Sequence, residues 1–258
     1  MKVVLFCGGY GTRLREYSET IPKPLVDIGY RPIVWHLMKY YAHFGHTDFI
    51  LALGYRGDLI KDYFLKYNEC MSNDFILSSG GRKVELLNSD IDDWKITFCD
   101  TGLNSNIGQR LMRVRHLLDG DDMFLANYSD GLSDIPLNEQ IKSLQETNAV
   151  ASFACVRPSY SLSAVQTEND GTVTAIEYMS DAEVRINGGF MILRPEVFDY
   201  MNEGEELVEE PFDRLIRERK LNGFKYDGFW SAMDTFKDKM RFDEMIAAND
   251  TPWQIWDR

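Results

Sequence analysis

No stretch of the sequence strings together the roughly 18 apolar residues that a helix needs to cross a lipid bilayer. The chain opens on an apolar strand rather than on a cleavable leader, so a cytoplasmic protein that does not engage a membrane is expected. Cysteine is scarce: Cys7, Cys70, Cys99 and Cys155 stand apart, with no Cys-x-x-Cys pair and no histidine cluster nearby. That spacing excludes a disulfide framework and a zinc site, and leaves reduced, buried thiols as the expectation. Positive charge is also in short supply, 28 lysines and arginines against 41 aspartates and glutamates, for a net charge of −13. Sequence-independent binding of nucleic acid needs a basic face to neutralise phosphates, so that class of partner is disfavoured. The same deficit constrains any small anionic ligand, which can bind only where local cations or a metal reverse the field. Repeats and low-complexity linkers are missing, and 258 residues that are 44% apolar suffice for one large α/β domain.

The cations that are present gather where the backbone is freest. Gly8-Gly9-Tyr10-Gly11-Thr12-Arg13-Leu14 follows the apolar run Val3 to Phe6, with Cys7 between them, and precedes Lys23-Pro24-Leu25. Three glycines in four positions let the chain turn sharply and bring its N–H groups close to an anion. Arg13 suits forked contacts to phosphate oxygens, and Lys23 is a compact point charge suited to charge that develops as a phosphoryl bond breaks. A dinucleotide fingerprint would need glycine where Leu14 stands, and a P-loop would need Gly-Lys-Ser/Thr, which is absent. A phosphate cradle or an ordinary glycine-rich turn remain, and the paired Arg13 and Lys23 favour the cradle.

Periodicity predicts a helix from Pro32 to Gly45, a strand from Phe49 to Leu53 and a helix from Asp58 to Tyr67. A hairpin-like insertion follows over Met71 to Asp93, then a strand Ile96 to Cys99 and a helix Gly108 to Leu118. In that helix Arg110, Arg113 and Arg115 point to ligand or to solvent, with solvent favoured for the last two. A strand Met123 to Asn127 runs into Tyr128-Ser129-Asp130-Gly131, so Asp130 is either a turn former or a carboxylate at the strand's carboxyl edge, where open sheets bind ligands. A helix Pro136 to Thr147 and a strand Val150 to Val156 come next. Asn169-Asp170-Gly171 signals a hairpin between Val165 to Thr167 and Thr172 to Tyr178. The rest reads as a strand Gly189 to Leu193, an acidic run Glu205 to Glu210 taken as a solvated face, helices from Pro211 and over Phe236 to Ala248, and an aromatic tail with Trp253 and Trp256.

These motifs, with Asp100-Thr101-Gly102, Ile186-Asn187-Gly188-Gly189-Phe190, Gly228-Phe229-Trp230 and Met233-Asp234-Thr235, resemble nearly end to end the sugar-1-phosphate nucleotidyltransferases, and among them the glucose-1-phosphate cytidylyltransferases. The resemblance implies a Rossmann-like, mixed but mainly parallel sheet flanked by helices, with a small antiparallel subregion on the acceptor side. It implies a single domain over 1–258, in which 1–150 mainly binds nucleotide and 151–258 mainly binds the acceptor. CTP would be held by Phe6, Cys7, Gly8, Gly9, Tyr10, Gly11, Thr12, Arg13, Lys23, Ser105, Arg110 and Ser129, the last standing where the family usually has glycine. Asp130 and Asp234, which only the resemblance pairs, would hold Mg²⁺, and with Arg13 and Lys23 they form the expected catalytic set. The family's oligomers imply self-association, for which the aromatic tail offers a surface.

The acceptor side departs from the pattern. Relatives carry Glu-Lys-Pro where this chain has Glu177-Tyr178-Met179, and Arg-Phe-Gly in the stretch that here reads Tyr160-Ser161-Leu162-Ser163-Ala164. The candidate acceptor residues are therefore Ser163, Glu177, Tyr178, Asn187 and Gly188, with Arg185 either supplying the lost cation or lying on the surface. Three readings follow: CMP transfer from CTP to glucose 1-phosphate, the same chemistry on a different and even non-sugar phosphorylated acceptor, or a nucleotide-binding subunit without catalysis. The intact Arg13, Lys23, Asp130 and Asp234 argue against the third.

Overall fold

A computed structural model describes residues 1–11, 21–158, 163–178 and 184–257. The eight strands of its main sheet are β1 (Lys2–Cys7), β2 (Asp48–Leu53), β3 (Lys95–Asp100), β4 (Phe124–Tyr128), β5 (Ala151–Val156), β6 (Ile186–Asn187), β7 (Met191–Leu193) and β8 (Leu221–Tyr226). In space the order is β3-β2-β1-β4-β7-β5-β8, with β6 lying beside the far end of β5. β1, β2, β3 and β4 are mutually parallel, and β7 runs antiparallel to both β4 and β5. The fold is thus the expected Rossmann-like, mainly parallel one.

Strand β1 shows why its sequence is an unbroken apolar run. Val3, Leu5 and Cys7 enter one core, Val4 and Phe6 the other, and every one of them is buried. On the first face lie helices α1 (Ile33–His43) and α2 (Gly57–Leu65), through Leu37, Met38, Tyr41 and Ile60. On the second lies α3 (Ile107–Val114), through Leu111 and Val114. The crossovers from β1 to β2 and from β2 to β3 therefore cover one face, and that from β3 back to β4 covers the other. The strand order reverses between β1 and β4, and a crevice lies at the carboxyl ends of those two strands.

Helix α4 (Leu137–Gln145) packs on the first face; α5 (Glu210–Arg217) packs on the second through Phe212 and Leu215; α6 (Phe236–Ala247) returns to the first through Phe242. Pro32 proves to be the extended residue before α1 rather than its first turn. Strand β8 was not anticipated. It is an edge strand whose apolar residues are interrupted by Asn222, Gly223 and Lys225, and a Cβ on Gly223 would come 2.6 Å from Cys155 Sγ. The two expected hairpins are present as exposed ribbons, Phe75–Ser78 with Lys83–Leu86 and Ser163–Thr167 with Val173–Tyr178.

Two expectations need correction. The aromatic tail belongs to the chain's own core: Trp253 is 1% exposed and meets Phe242, Phe229 and His36 edge-on or tilted, while Trp256 packs on Trp35. Of the four thiols, all free, only Cys7 is buried; Cys70, Cys99 and Cys155 are half-exposed. No helix among the described residues is long and apolar enough to cross a membrane.

Candidate active site

The glycine loop leaves β1 directly into the crevice, and its first glycine answers to an arginine. Arg110 is 3% exposed beneath the loop, where its guanidinium donates to the carbonyls of Gly8 (3.0 Å), Leu53 (3.1 Å) and Gly102 (2.9 Å) and to Thr101 Oγ1 (2.7 Å). A Cβ on Gly8 would lie 2.1 Å from Arg110 Nη1, and one on Gly54 2.7 Å from the same atom. The guanidinium thus fills the volume that both glycines leave open, and ties the ends of β1, β2 and β3 together. Burial lowers the pKa of Arg110 from its ordinary value, with partial compensation from Cys7 and Asp100. No carboxylate among the described residues forms an ion pair with it, so its hydrogen bonds go to peptide carbonyls and a hydroxyl.

Beyond Gly8, Gly9 has open space where a Cβ would point, and Gly11 is in the left-handed region at φ 60°. The exposed Tyr10 packs at a tilt against Tyr55 and donates to Asn104 Oδ1 (2.8 Å). Thr12 and Arg13 lie outside the described residues. Phe6 lines the crevice, whereas Cys7 faces the core, where burial pushes its thiol pKa up to about 12. Ser129, where the family pattern has glycine, donates through Oγ to the Phe6 carbonyl (2.8 Å), fastening the end of β4 to β1.

Asp130 follows Ser129, and a two-stranded ribbon brings Asp234 to it. Gly131–Ser133 pairs antiparallel with Trp230–Ala232, and Met233 N donates to Asp130 O (2.8 Å), so two aspartates remote in sequence become neighbours. Between them sits Lys23, carried by a single 3₁₀ turn, Lys23–Leu25, whose Pro24 is buried. Its Nζ donates to Asp130 Oδ2 (2.5 Å) and to Asp234 Oδ1 (2.7 Å). Burial disfavours its charge, but the two carboxylates outweigh that and raise its pKa above the ordinary lysine value.

Lys23, Asp130, Arg110 and the loop glycines line one cavity of about 220 Å³, together with Ser105. Ser105 Oγ donates to the Thr101 carbonyl (2.5 Å). A larger depression of about 660 Å³ around Arg194, Glu196 and Lys220 contains none of the motif residues. The crevice also holds residues that the sequence did not reveal. Glu206 was read as part of a solvated acidic run, yet it lines the cavity and accepts from the backbone N–H of Ile107 (3.2 Å) and of Leu207 (2.9 Å). Asn106 caps α3 reciprocally with Gln109, and Tyr128 is pushed up to a pKa of about 12 by burial, with Glu206 and Asp130 adding to it. Only the partial burial of Glu206 beside a helix start distinguishes it from the exposed Glu209 and Glu210, and no local pattern encodes that.

The acceptor candidates separate. Asn187 Oδ1 accepts from the Gly189 N–H (2.9 Å), and the Gly188 carbonyl accepts from Trp230 Nε1 (2.8 Å) in close packing with Val156. Ser163 and Tyr178 face each other at the open end of the exposed ribbon, with Glu177 on its other side accepting from Gln166. Arg185 is committed elsewhere: it donates to the Cys155 and Tyr226 carbonyls and pairs with Asp227 (2.8 Å), which also binds Arg157.

Among the described residues no group of three or more histidine, cysteine or acidic side chains converges on a metal position. Two carboxylates do converge, on a point already taken by an ammonium group. Mg²⁺ uses one or two carboxylates and completes its octahedron with water and phosphate oxygens, so this donor set fits a cation that arrives with a nucleotide.

Comparison with known proteins identifies the family. A family model described as nucleotidyl transferase matches residues 2–231. The chain is 38% identical to the probable glucose-1-phosphate cytidylyltransferase of Bacillus subtilis (strain 168), covering 99% of this chain and 100% of that protein. It is 34% identical to the glucose-1-phosphate cytidylyltransferase of Salmonella typhi, with full coverage of both. Among solved structures, HddC from Yersinia pseudotuberculosis superposes with a TM-score of 0.67 at 21% identity, over 95% of this chain and 99% of that one. A UDP-glucose pyrophosphorylase complexed with UDP-glucose gives 0.67 at 14%, over 96% and 98%. At those identities the two structures speak to the fold alone.

Proposed function

Because the chain belongs to the nucleotidyl transferase family, we propose that it transfers CMP from CTP to glucose 1-phosphate, releasing pyrophosphate. An acceptor other than a sugar phosphate is not favoured, since the full-length relatives carry the glucose-1-phosphate name. A non-catalytic role is not favoured either. In the reaction an oxygen of the acceptor's phosphate attacks the α-phosphorus of CTP, the bond from that phosphorus to the bridging oxygen breaks, and pyrophosphate leaves with the electron pair. No covalent enzyme intermediate is required, so the protein's task is positioning and charge neutralisation.

Lys23 meets the charge that develops on the α-phosphate. The amides of Gly8 to Gly11 and Arg13 hold the β- and γ-phosphates. Ser105 and Ser129 help shape the nucleotide side, and Arg110 positions the loop from below while presenting its charge to the same cavity. Asn187 and Gly188 flank the acceptor side. Asp130 and Asp234 would hold Mg²⁺, which would supply Lewis-acid neutralisation of the phosphate oxygens.

The observation that carries this reading is the meeting of one lysine and two carboxylates at the carboxyl ends of β1 and β4, beside the glycine loop. A pyrophosphate-release assay tests it, with CTP, UTP, GTP and ATP each offered glucose 1-phosphate, mannose 1-phosphate and a non-sugar phosphate monoester. CTP with glucose 1-phosphate is expected to give the highest kcat/KM. A higher value for another pair would refute the substrate assignment.

A further inference from the structure

Lys23 already engages an oxygen of each carboxylate that would hold a divalent cation. The ammonium nitrogen lies 2.5 Å from Asp130 Oδ2 and 2.7 Å from Asp234 Oδ1. A second cation brought to the same pair of carboxylates meets the repulsion of the first. We propose that Lys23 closes the metal site in the free enzyme and releases it only when a nucleotide's phosphates draw the ammonium away, so that metal and CTP enter together. This rests on the reading of Asp130 and Asp234 as the metal ligands.

Three features of the site suit such an exchange. The backbone of Lys23 is fixed, with Leu25 N bonded to Pro22 O (2.8 Å) and Val26 N to Lys23 O (3.1 Å), so the flexible side chain is the part free to move. That side chain lines the same cavity as Gly8, Gly9 and Gly11, so an ammonium leaving the aspartates remains within the phosphate site. The carboxylates do not depend on lysine for their proximity, because the Met233 N to Asp130 O bond and the Gly131–Ser133 ribbon hold them together. In both states every charge keeps an opposite partner: lysine with carboxylates before, lysine with phosphate and carboxylates with metal after. By linkage, each ligand then raises the other's affinity by the same factor.

The test is Mn²⁺ binding followed by electron paramagnetic resonance without nucleotide, on the full chain, comparing wild type with Lys23→Met, Lys23→Gln and the double variant Lys23→Met/Asp130→Asn. Each single variant is expected to bind Mn²⁺ at least tenfold tighter than wild type, and the double variant to lose that gain. Melting temperature supplies a second readout: Mn²⁺ should raise it in Lys23→Met and leave wild type nearly unmoved. Equal Mn²⁺ affinity in wild type and both single variants, while Asp130→Asn and Asp234→Asn still abolish turnover, would overturn the exchange and leave the metal ligands standing. Normal turnover in Asp130→Asn would overturn both together.

Discussion

Gly8 and Arg110 form a pair that neither residue discloses alone. A glycine there is readable as a place where backbone approaches phosphate, but the structure adds a stricter demand, since a Cβ would overlap the Arg110 guanidinium. Gly8→Ala is therefore expected to displace Arg110 and deprive the Gly8, Leu53 and Gly102 carbonyls of the guanidinium, leaving Tyr55 N on the first and Thr101 on the second. Arg110→Lys removes the fork while keeping the charge. It should cost about 2–4 kcal/mol of stability, because buried acceptors lose charge-assisted partners, and should weaken CTP binding as well. Urea denaturation and calorimetric titration with CTP measure the two effects; a variant as stable as wild type would show that the cage is not structural. At this scale the cradle, Lys23 and Asp130 were legible, because glycine spacing and a charge after a strand are local signals. The partners of Arg110 and the inward turn of Glu206 were not, since they come from segments far away in the chain.

At the scale of elements, the parallel strands announced themselves as short apolar runs, while β8 did not, because an edge strand is half-exposed and its polar residues break the run. The Gly131–Ser133 ribbon was equally silent: three residues per strand are too few for a period to emerge, yet their register sets the distance between the two aspartates. Helix α1 carries a further consequence. His36 is buried on it against Trp35 and Trp253, with a ring nitrogen 3.0 Å from the Ile28 carbonyl. Burial above all, with the charge of Arg31 adding to it, lowers its pKa from 6.5 to about 4. The folded state thus binds fewer protons than the unfolded one between those values. The stability this represents is fully present above pH 6.5 and is lost as pH falls toward 4, at about 1.4 kcal/mol per pH unit and about 3 kcal/mol in all. His46, its pKa likewise lowered by burial and by the N-terminal ammonium, adds to the acid lability. Urea denaturation of wild type and His36→Gln at pH 7.5, 5.5 and 4.5 should show a shallower loss in the variant. Parallel losses would mean that His36 is not the group that titrates.

For the whole molecule, sheet order decides where chemistry can happen. The reversal between β1 and β4 opens one crevice, and the glycine loop, Lys23, Asp130 and Asp234 all arrive there although the chain carries a net charge of −13. Sequence composition raised that charge problem, and the structure brings Arg110 and Lys23 to the crevice, where Asp130, Asp234 and Glu206 stand as well. The C-terminal tail completes the core on the first face of the sheet. Trp253→Ala should cost about 3–5 kcal/mol through the cavity it leaves, while the folded fraction keeps its kcat, because the indole packs on His36, Phe229 and Phe242, none of which lines the crevice. A loss of kcat in protein shown to be folded would tie the tail to the site after all.

The central claim, that Asp130 and Asp234 act as one metal-holding unit in CMP transfer, is tested most directly by turnover with CTP and glucose 1-phosphate in Asp130→Asn, Asp234→Asn and the double variant. Each single variant should fall about a hundredfold or more, roughly 3 kcal/mol of barrier, and the double variant should lie within about threefold of the worse single one. Near-normal turnover in either single variant, or losses that multiply to about ten-thousandfold in the double variant, would contradict it.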